Sequence, residues 1–126
     1  MDDAAKTCDI HIDGAIVDAD TQSMLEYFDP NTTTVSYNTF RDAVNNCPKD
    51  CTVNVHINSG GGYPGDSLAI HDFIKSEINN GRTINTLGFG LVASAATQVW
   101  LAPPASNRYM GDNCQFMIHE ASGGYW

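Results

Sequence analysis

The chain has 126 residues, 42% hydrophobic and 17% charged, which is the composition of one folded domain and excludes a disordered segment. Its formal net charge of −9 at pH 7 argues against nucleic acid and anionic membrane surfaces as partners, because their phosphates would repel it. The opening MDDAAKTCDI has no apolar segment of the kind found in secretory signals, and no apolar run is long enough to span a bilayer. These features predict a cytoplasmic protein.

The four cysteines are too few for a disulfide scaffold and are predicted to be free thiols in a reducing compartment. The CPKDC spacing is not that of a zinc knuckle and no second pair follows it, so no metal site is predicted. The chain closes on EASGGYW, which is typical of the start of a loop. We therefore expect a fragment, or a chain that lacks its last segment.

The first half of the chain predicts two strands and two helices. CDIHIDGAIV alternates apolar and polar residues and is typical of an opening strand or hairpin. Residues 18–34 are polar and contain DPNTTT, which predicts a weak helix followed by a turn. SYNTFRDAVNN has apolar residues at helical spacing and predicts an amphipathic helix. TVNVHI has period two and predicts a strand.

In the second half, NSGGGYPG predicts a flexible loop before the clearest helix, DSLAIHDFIKSEINNG. Asp66 is the predicted N-cap of that helix, and Gly81 occupies the position just beyond its end. The remaining segments predict a strand, a helix that begins near Ser94, a turn and a last strand: RTINTLG, ASAATQVWLA, PPASNR and QFMIH.

This alternation of strands and helices predicts an α/β fold of parallel βαβ units over residues 1–126 as a single domain. In such sheets functional groups gather at the carboxyl ends of the strands. Three segments arrive there: the glycine loop after Ile57, Ser94 after the strand at 83–87, and His119 at the end of the last strand. We expect them to lie close together.

Ser94 stands among residues with very small side chains in GFGLVASAAT. At a helix start its hydroxyl would be exposed beside free backbone N–H groups, and small neighbours would let a substrate carbonyl approach. This arrangement suits a serine nucleophile, although VASAA does not match G-x-S-x-G. The alternative is an ordinary helix N-cap packed among alanines.

The glycines of INSGGGYPG can adopt positive φ and leave their N–H groups unobstructed. The segment lacks the Gly-Lys-Ser/Thr ending of a phosphate loop, and the chain has no G-x-G-x-x-G, so nucleotide binding is not predicted. An oxyanion hole fits better, with a plain mobile loop as the alternative.

His119, in FMIHEASGG, is the candidate base, because a run of apolar residues delivers it to the end of a strand. His11 and His56 lie on alternating strands, and His71 lies on an amphipathic helix. None of these three ends a strand.

With these pieces in order, the chain resembles the ClpP-type serine peptidases of the ClpP/crotonase-like fold. INSGGGYPGDSLAIHDFI is similar to the family's INSPGG segment, and GFGLVASAAT is similar to its nucleophile segment. NRYMGDNCQFMIHEASGG resembles the segment that carries the family's histidine. Three ordered motifs at family-like spacing form a specific signal.

The resemblance implies a role for each matching position. Ser94 would attack the peptide carbonyl, and His119 would act first as base and then as acid. The backbone N–H groups of Gly61 and Ala95 would form the oxyanion hole.

Gly62 and the stretch around Leu91 would hold an extended substrate. The resemblance also implies protein or peptide substrates, a homo-oligomeric ring, a partner ATPase of the AAA+ class and no cofactor.

The chain departs from the family's pattern in three places. Gly60 replaces a proline, Ala95 replaces a methionine, and Glu120-Ala121 stands where Gln-Pro is usual. The acid of the triad and the handle helix lie, in the family, beyond the point where this chain stops. Glu120 is a poor substitute for that acid, because neighbours on a strand point to opposite faces.

The sequence leaves three other functions open. The ASAAT run and the acidic, lysine-poor composition also suit a phage protease that matures capsids. A non-catalytic relative that only forms rings would need no acid. A crotonase-type acyl-CoA enzyme would use a similar oxyanion hole but needs no Ser94–His119 pair.

Overall fold

The computed structural model describes residues 6–118 of the chain. In chain order its elements are β1 (Thr7–Asp13), β2 (Ala15–Ile16), α1 (Ala19–Phe28), β3 (Thr34–Val35), α2 (Tyr37–Asn45), β4 (Thr52–Ser59), α3 (Pro64–Asn79), β5 (Ile84–Ala93), α4 (Ala95–Trp100), a 3-10 helix (Ala105–Asn107), β6 (Arg108–Met110) and β7 (Gln115–Met117).

The main sheet has the order β1-β4-β5-β6, with β7 paired to the far end of β5. All its pairs are parallel, and so is the small second sheet formed by β2 and β3. Parallel neighbours cannot be joined by tight turns, so the chain must cross over between them, and α2, α3 and α4 lie in those crossovers. This confirms the predicted α/β architecture. The alternative prediction of a hairpin at the start of the chain is wrong, because β1 pairs with β4.

The core lies against one face of this sheet. Alternate residues of β4, namely Val53, Val55 and Ile57, are buried, and Ile70 and Ile74 of α3 cover them with no exposed surface of their own. Each such side chain contributes about 1.5–3 kcal/mol by leaving water. Within residues 6–118, no helix is long and apolar enough to cross a membrane.

Helix α3 begins three residues earlier than predicted. Pro64 occupies its first turn, where a missing N–H costs nothing, and Tyr63 is the N-cap. The prediction that Asp66 caps α3 is therefore wrong. Its carboxylate instead accepts a hydrogen bond of 2.6 Å from the N–H of Tyr37, the first residue of α2. Gly81 has φ 101° just beyond the C-cap Asn80, as predicted.

Strand β5 is longer than the sequence predicts because it contains a bulge. Ile57 lies opposite Gly88, but Ser59 lies opposite Val92, so β5 advances four residues while β4 advances two. Gly90, at φ 75°, lies within the extra residues. The bulge carries β5 on to Ala93, directly before Ser94. Strand β6 is not predicted, since three residues are too few to show a period.

Cys8 on β1 and Cys47 after α2 form a disulfide, while Cys51 and Cys114 are free. The prediction that all four cysteines are thiols is wrong for the first pair. The two residues are 39 positions apart, and only the packing of α2 beside β1 brings their Cα atoms to 6.1 Å. Composition alone could not reveal this pairing.

Replacing both Cys8 and Cys47 with serine should lower the free energy of unfolding by about 4 kcal/mol, because the disulfide closes a long loop in the unfolded chain. Urea denaturation of the oxidised proteins measures this difference. Cys114→Ser is the control and should change stability clearly less, because Cys114 is a free cysteine and closes no loop. Four free thiols in the oxidised wild-type chain, counted by non-reducing mass spectrometry, would contradict the assignment.

Candidate active site

Ser94 lies at a sharp turn between β5 and α4. Its backbone has φ 54° and ψ −126°, and it is the only residue other than glycine at positive φ within residues 6–118. Holding a residue with a Cβ in such a conformation costs about 1–3 kcal/mol, so the surrounding structure must enforce it. Ser94 occupies the N-cap position of α4, but its side chain makes no capping hydrogen bond. The strain is therefore not explained by helix capping.

Three hydrogen bonds enforce this turn. The carbonyl oxygen of Ser94 accepts from the N–H of Thr97 at 3.0 Å and from its Oγ1 at 2.6 Å. The N–H of Ser94 donates to the carbonyl of Met117 at 2.9 Å. Because Thr97 is buried and Met117 ends β7, the turn is fixed from both the helix and the sheet.

The glycine loop packs directly on this turn. Gly61 has φ 95°, and a Cβ atom there would lie 2.7 Å from the carbonyl oxygen of Ala93 and 2.8 Å from the backbone nitrogen of Ala95. It would also lie 3.0 Å from the Cβ of Ser94. Only glycine permits such an approach. The structure thus brings together Gly61, Ser94 and Ala95, which the sequence analysis grouped.

The N–H of Gly61 already has a hydrogen-bond acceptor. It donates a buried hydrogen bond of 3.0 Å to Oγ of Ser59. This hydrogen bond occupies the donor that the sequence analysis assigned to the oxyanion, and that assignment stays a prediction. The acceptor, Ser59, is buried, and the sequence analysis did not recognise its role.

The N–H of the next residue, Gly62, has different surroundings. The carbonyl of Gly61 accepts from the N–H of Ile16 at 3.0 Å, and the N–H of Tyr63 donates to the carbonyl of Ile16 at 2.8 Å. In a trans peptide the C=O and the following N–H point in opposite directions, so the N–H of Gly62 points away from β2. It has no acceptor in the described part of the chain. A Cβ at Gly62 would collide with the carbonyl oxygen of Ile16.

Leu91 lies on the other side of the glycine loop. Its N–H donates to Oδ1 of Asn58 at 3.2 Å, which anchors the bulge of β5 to the end of β4. A Cβ on Gly60 would lie 3.9 Å from Cδ2 of Leu91, so this side chain borders the loop without crowding it. The segment of Leu91 therefore meets the glycine loop at Gly60.

His119 lies outside the described residues. The other three histidines have partners away from the Ser94 turn. His71 bonds through Nδ1 to the carbonyl of Gln98 at 2.6 Å, and the rings of His11 and His56 stack at 4.7 Å. His56 also bonds to the carboxylate of Asp9 at 2.9 Å, and this hydrogen bond lowers the pKa of Asp9. None of the three is placed as a base for Ser94.

A family model described as Clp protease matches residues 41–126, more than half of the chain. The chain belongs to the Clp protease family. It is 35% identical over 75 residues to the ATP-dependent Clp protease proteolytic subunit 3 of Rhizobium meliloti (strain 1021), covering 60% of this chain and 37% of that protein. It is 36% identical over 75 residues to the ATP-dependent Clp protease proteolytic subunit of Paracoccus denitrificans, covering 60% and 36%. The chain thus spans little more than a third of these relatives.

Solved Clp structures share the fold over most of this chain. ClpP1 from Listeria monocytogenes superposes with a TM-score of 0.65 and 28% identity, covering 92% of this chain and 58% of that chain. The ClpP protease catalytic domain from Plasmodium falciparum gives 0.54 and 29%, covering 88% and 54%. The family model begins at Arg41, so α1 and the first three strands lie outside it. The Clp-type fold itself extends beyond the region that the sequence match recognises.

If Ser94 is the nucleophile, as proposed below, Gly61→Ala should reduce turnover about a hundredfold or more, because the added Cβ displaces the backbone of Ala93 and Ala95. Peptide hydrolysis by the full-length protein measures the effect. Gly60→Ala is the matched control from the same loop, and it should be nearly neutral because its Cβ meets only Leu91 at ordinary contact distance. Equal turnover in the two variants would show that the close contact of Gly61 does not shape the site.

Proposed function

We propose that this chain forms the nucleophile-bearing part of a serine endopeptidase that cleaves peptide bonds through an acyl-enzyme. The observation that carries the proposal is the strained Ser94 turn packed against Gly61. An unstrained helix start would satisfy packing alone. The strain has a purpose if it exposes the Ser94 hydroxyl beside backbone N–H groups at the start of α4.

In the proposed reaction the Oγ of Ser94 attacks the peptide carbonyl and transfers its proton to His119. His119 follows Met117 by two residues, and the carbonyl of Met117 accepts from the N–H of Ser94. His119 then protonates the leaving amine, and water releases the acyl group from Ser94.

The oxyanion would be stabilised by the N–H groups of Ala95 and Gly62. Ala95 is the first residue of α4, where backbone donors have no partner within the helix. Gly62 takes the place of Gly61 in this role, because the N–H of Gly61 is occupied by Ser59. Two such donors aimed at one developing charge are worth several orders of magnitude in rate.

An extended peptide would lie between the segments of Gly62 and Leu91. The N–H of Gly62 points away from β2 and has no partner within the described residues. Because this N–H is assigned to the oxyanion, the rest of the substrate strand would be held by other backbone groups of these two segments. Recognition of this kind depends little on side-chain identity and suits unfolded protein substrates.

Both curated relatives are named ATP-dependent proteolytic subunits. We extend to this chain a partner ATPase that delivers unfolded protein and assembly into a homo-oligomeric ring. The acid that orients His119 is expected from the segment that follows in the relatives.

A fluorophosphonate probe should label the full-length, assembled protein at Ser94, since such probes react only with an activated serine. Ser94→Ala should abolish labelling, and His119→Gln should slow it by at least about a thousandfold. Labelled peptides identified by mass spectrometry give the result.

Ser106→Ala removes an exposed serine of the 3-10 helix and should leave labelling unchanged. If the folded, assembled wild-type protein remained unlabelled, the peptidase proposal would fail. A ring-forming role without catalysis would then take its place.

A further inference from the structure

Ser59 connects three parts of the candidate site through one buried hydroxyl. It is the last residue of β4 and is only 2% exposed. Its Oγ donates to the carbonyl of Gly14 at 2.6 Å and accepts from the N–H of Gly61 at 3.0 Å. The turn between β1 and β2, the end of β4 and the glycine loop are therefore joined at a single atom.

The anchor of this connection is rigid. Gly14 has φ 77°, and its N–H donates to the carbonyl of Asn58 at 3.2 Å. A Cβ at Gly14 would collide with the carbonyl oxygen of Thr33, so the turn is packed closely on the segment before β3. Ser59 therefore transmits the position of a fixed turn to the glycine loop.

Two hydrogen bonds fix the conformation of the glycine loop at Gly61. Ser59 fixes the peptide group that precedes the Cα of Gly61, and Ile16 fixes the one that follows it. Together they hold Gly61 at φ 95°. The second of these peptide groups contains the N–H of Gly62, so its direction depends on both hydrogen bonds.

We infer that Ser59 is a positioning residue, which sets the direction of the Gly62 N–H through Gly61 and so determines how well an oxyanion is bound beside Ser94. The inference rests on the proposed peptidase function. Without the hydroxyl, the N–H of Gly61 and the carbonyl of Gly14 lose their common buried partner, and the loop must rearrange to satisfy them. Ser59 itself need touch neither substrate nor reacting atoms.

The test compares Ser59→Ala with Ser67→Ala in the full-length protein. Ser67 is equally buried and donates to the carbonyl of Pro64 within the first turn of α3. Both variants lose one buried hydroxyl. Of the two, only Ser59→Ala should lower kcat for a peptide ester, by about tenfold to a hundredfold. KM should change less than about threefold, because the oxyanion forms only after the substrate has bound.

Two further measurements separate positioning from general destabilisation. Hydrogen exchange of the peptide covering residues 59–63 should speed up in Ser59→Ala and not in Ser67→Ala. Ser59→Thr keeps the hydroxyl and should restore kcat to within about threefold of wild type. If Ser59→Ala does not fold, Ser59→Cys, whose thiol is a weaker donor, takes its place and should show a smaller loss of kcat in the same direction.

Equal kcat values in Ser59→Ala and Ser67→Ala, measured in protein whose Ser94 is labelled by the fluorophosphonate, would overturn this inference and leave the peptidase proposal intact. Failure of the wild-type protein to label would instead remove the peptidase proposal. The two failures are therefore distinguishable.

Discussion

The close approach of Gly61 to the Ser94 turn is the constraint on which the rest of the candidate site depends. Two backbone segments, each at positive φ, are in direct contact, and a single methyl group between them would meet backbone atoms at less than 3 Å. Backbone atoms cannot move aside as a flexible side chain can. The glycine loop and the start of α4 therefore hold each other in place.

The parallel sheet makes this contact possible. Because β4 and β5 are parallel neighbours, their carboxyl ends lie at the same edge, and the chain leaves each strand beside the other. The bulge in β5 then adds two residues between Gly88 and Val92, so the strand reaches Ala93 and presents Ser94 opposite the end of β4. Asn58 holds the bulge and Ser59 holds the loop, from consecutive positions whose side chains point to opposite faces.

Polar side chains in this region bind mainly to backbone groups. Thr97 bonds to the carbonyl of Ser94, Ser59 bonds to Gly14 and Gly61, and Asn58 bonds to Leu91. Hydrogen bonds of this kind fix main-chain direction without adding bulk beside the turn. This is what a site that binds an oxyanion and an extended peptide through N–H groups requires.

The sequence by itself determined the alternation of the main strands and helices, the family and the grouping of Ser94 with the glycine loop. These depend on the local spacing of apolar residues, on small residues at fixed positions and on the distances between three motifs. All of these are properties of the sequence alone. It did not determine the Cys8–Cys47 disulfide, the partner of Asp66, the bulge in β5 or the occupied N–H of Gly61. Each of these joins residues from different elements or depends on strand register, and only packing sets such distances. The tertiary structure therefore decided which of two adjacent glycines donates a hydrogen bond within residues 6–118 and which does not.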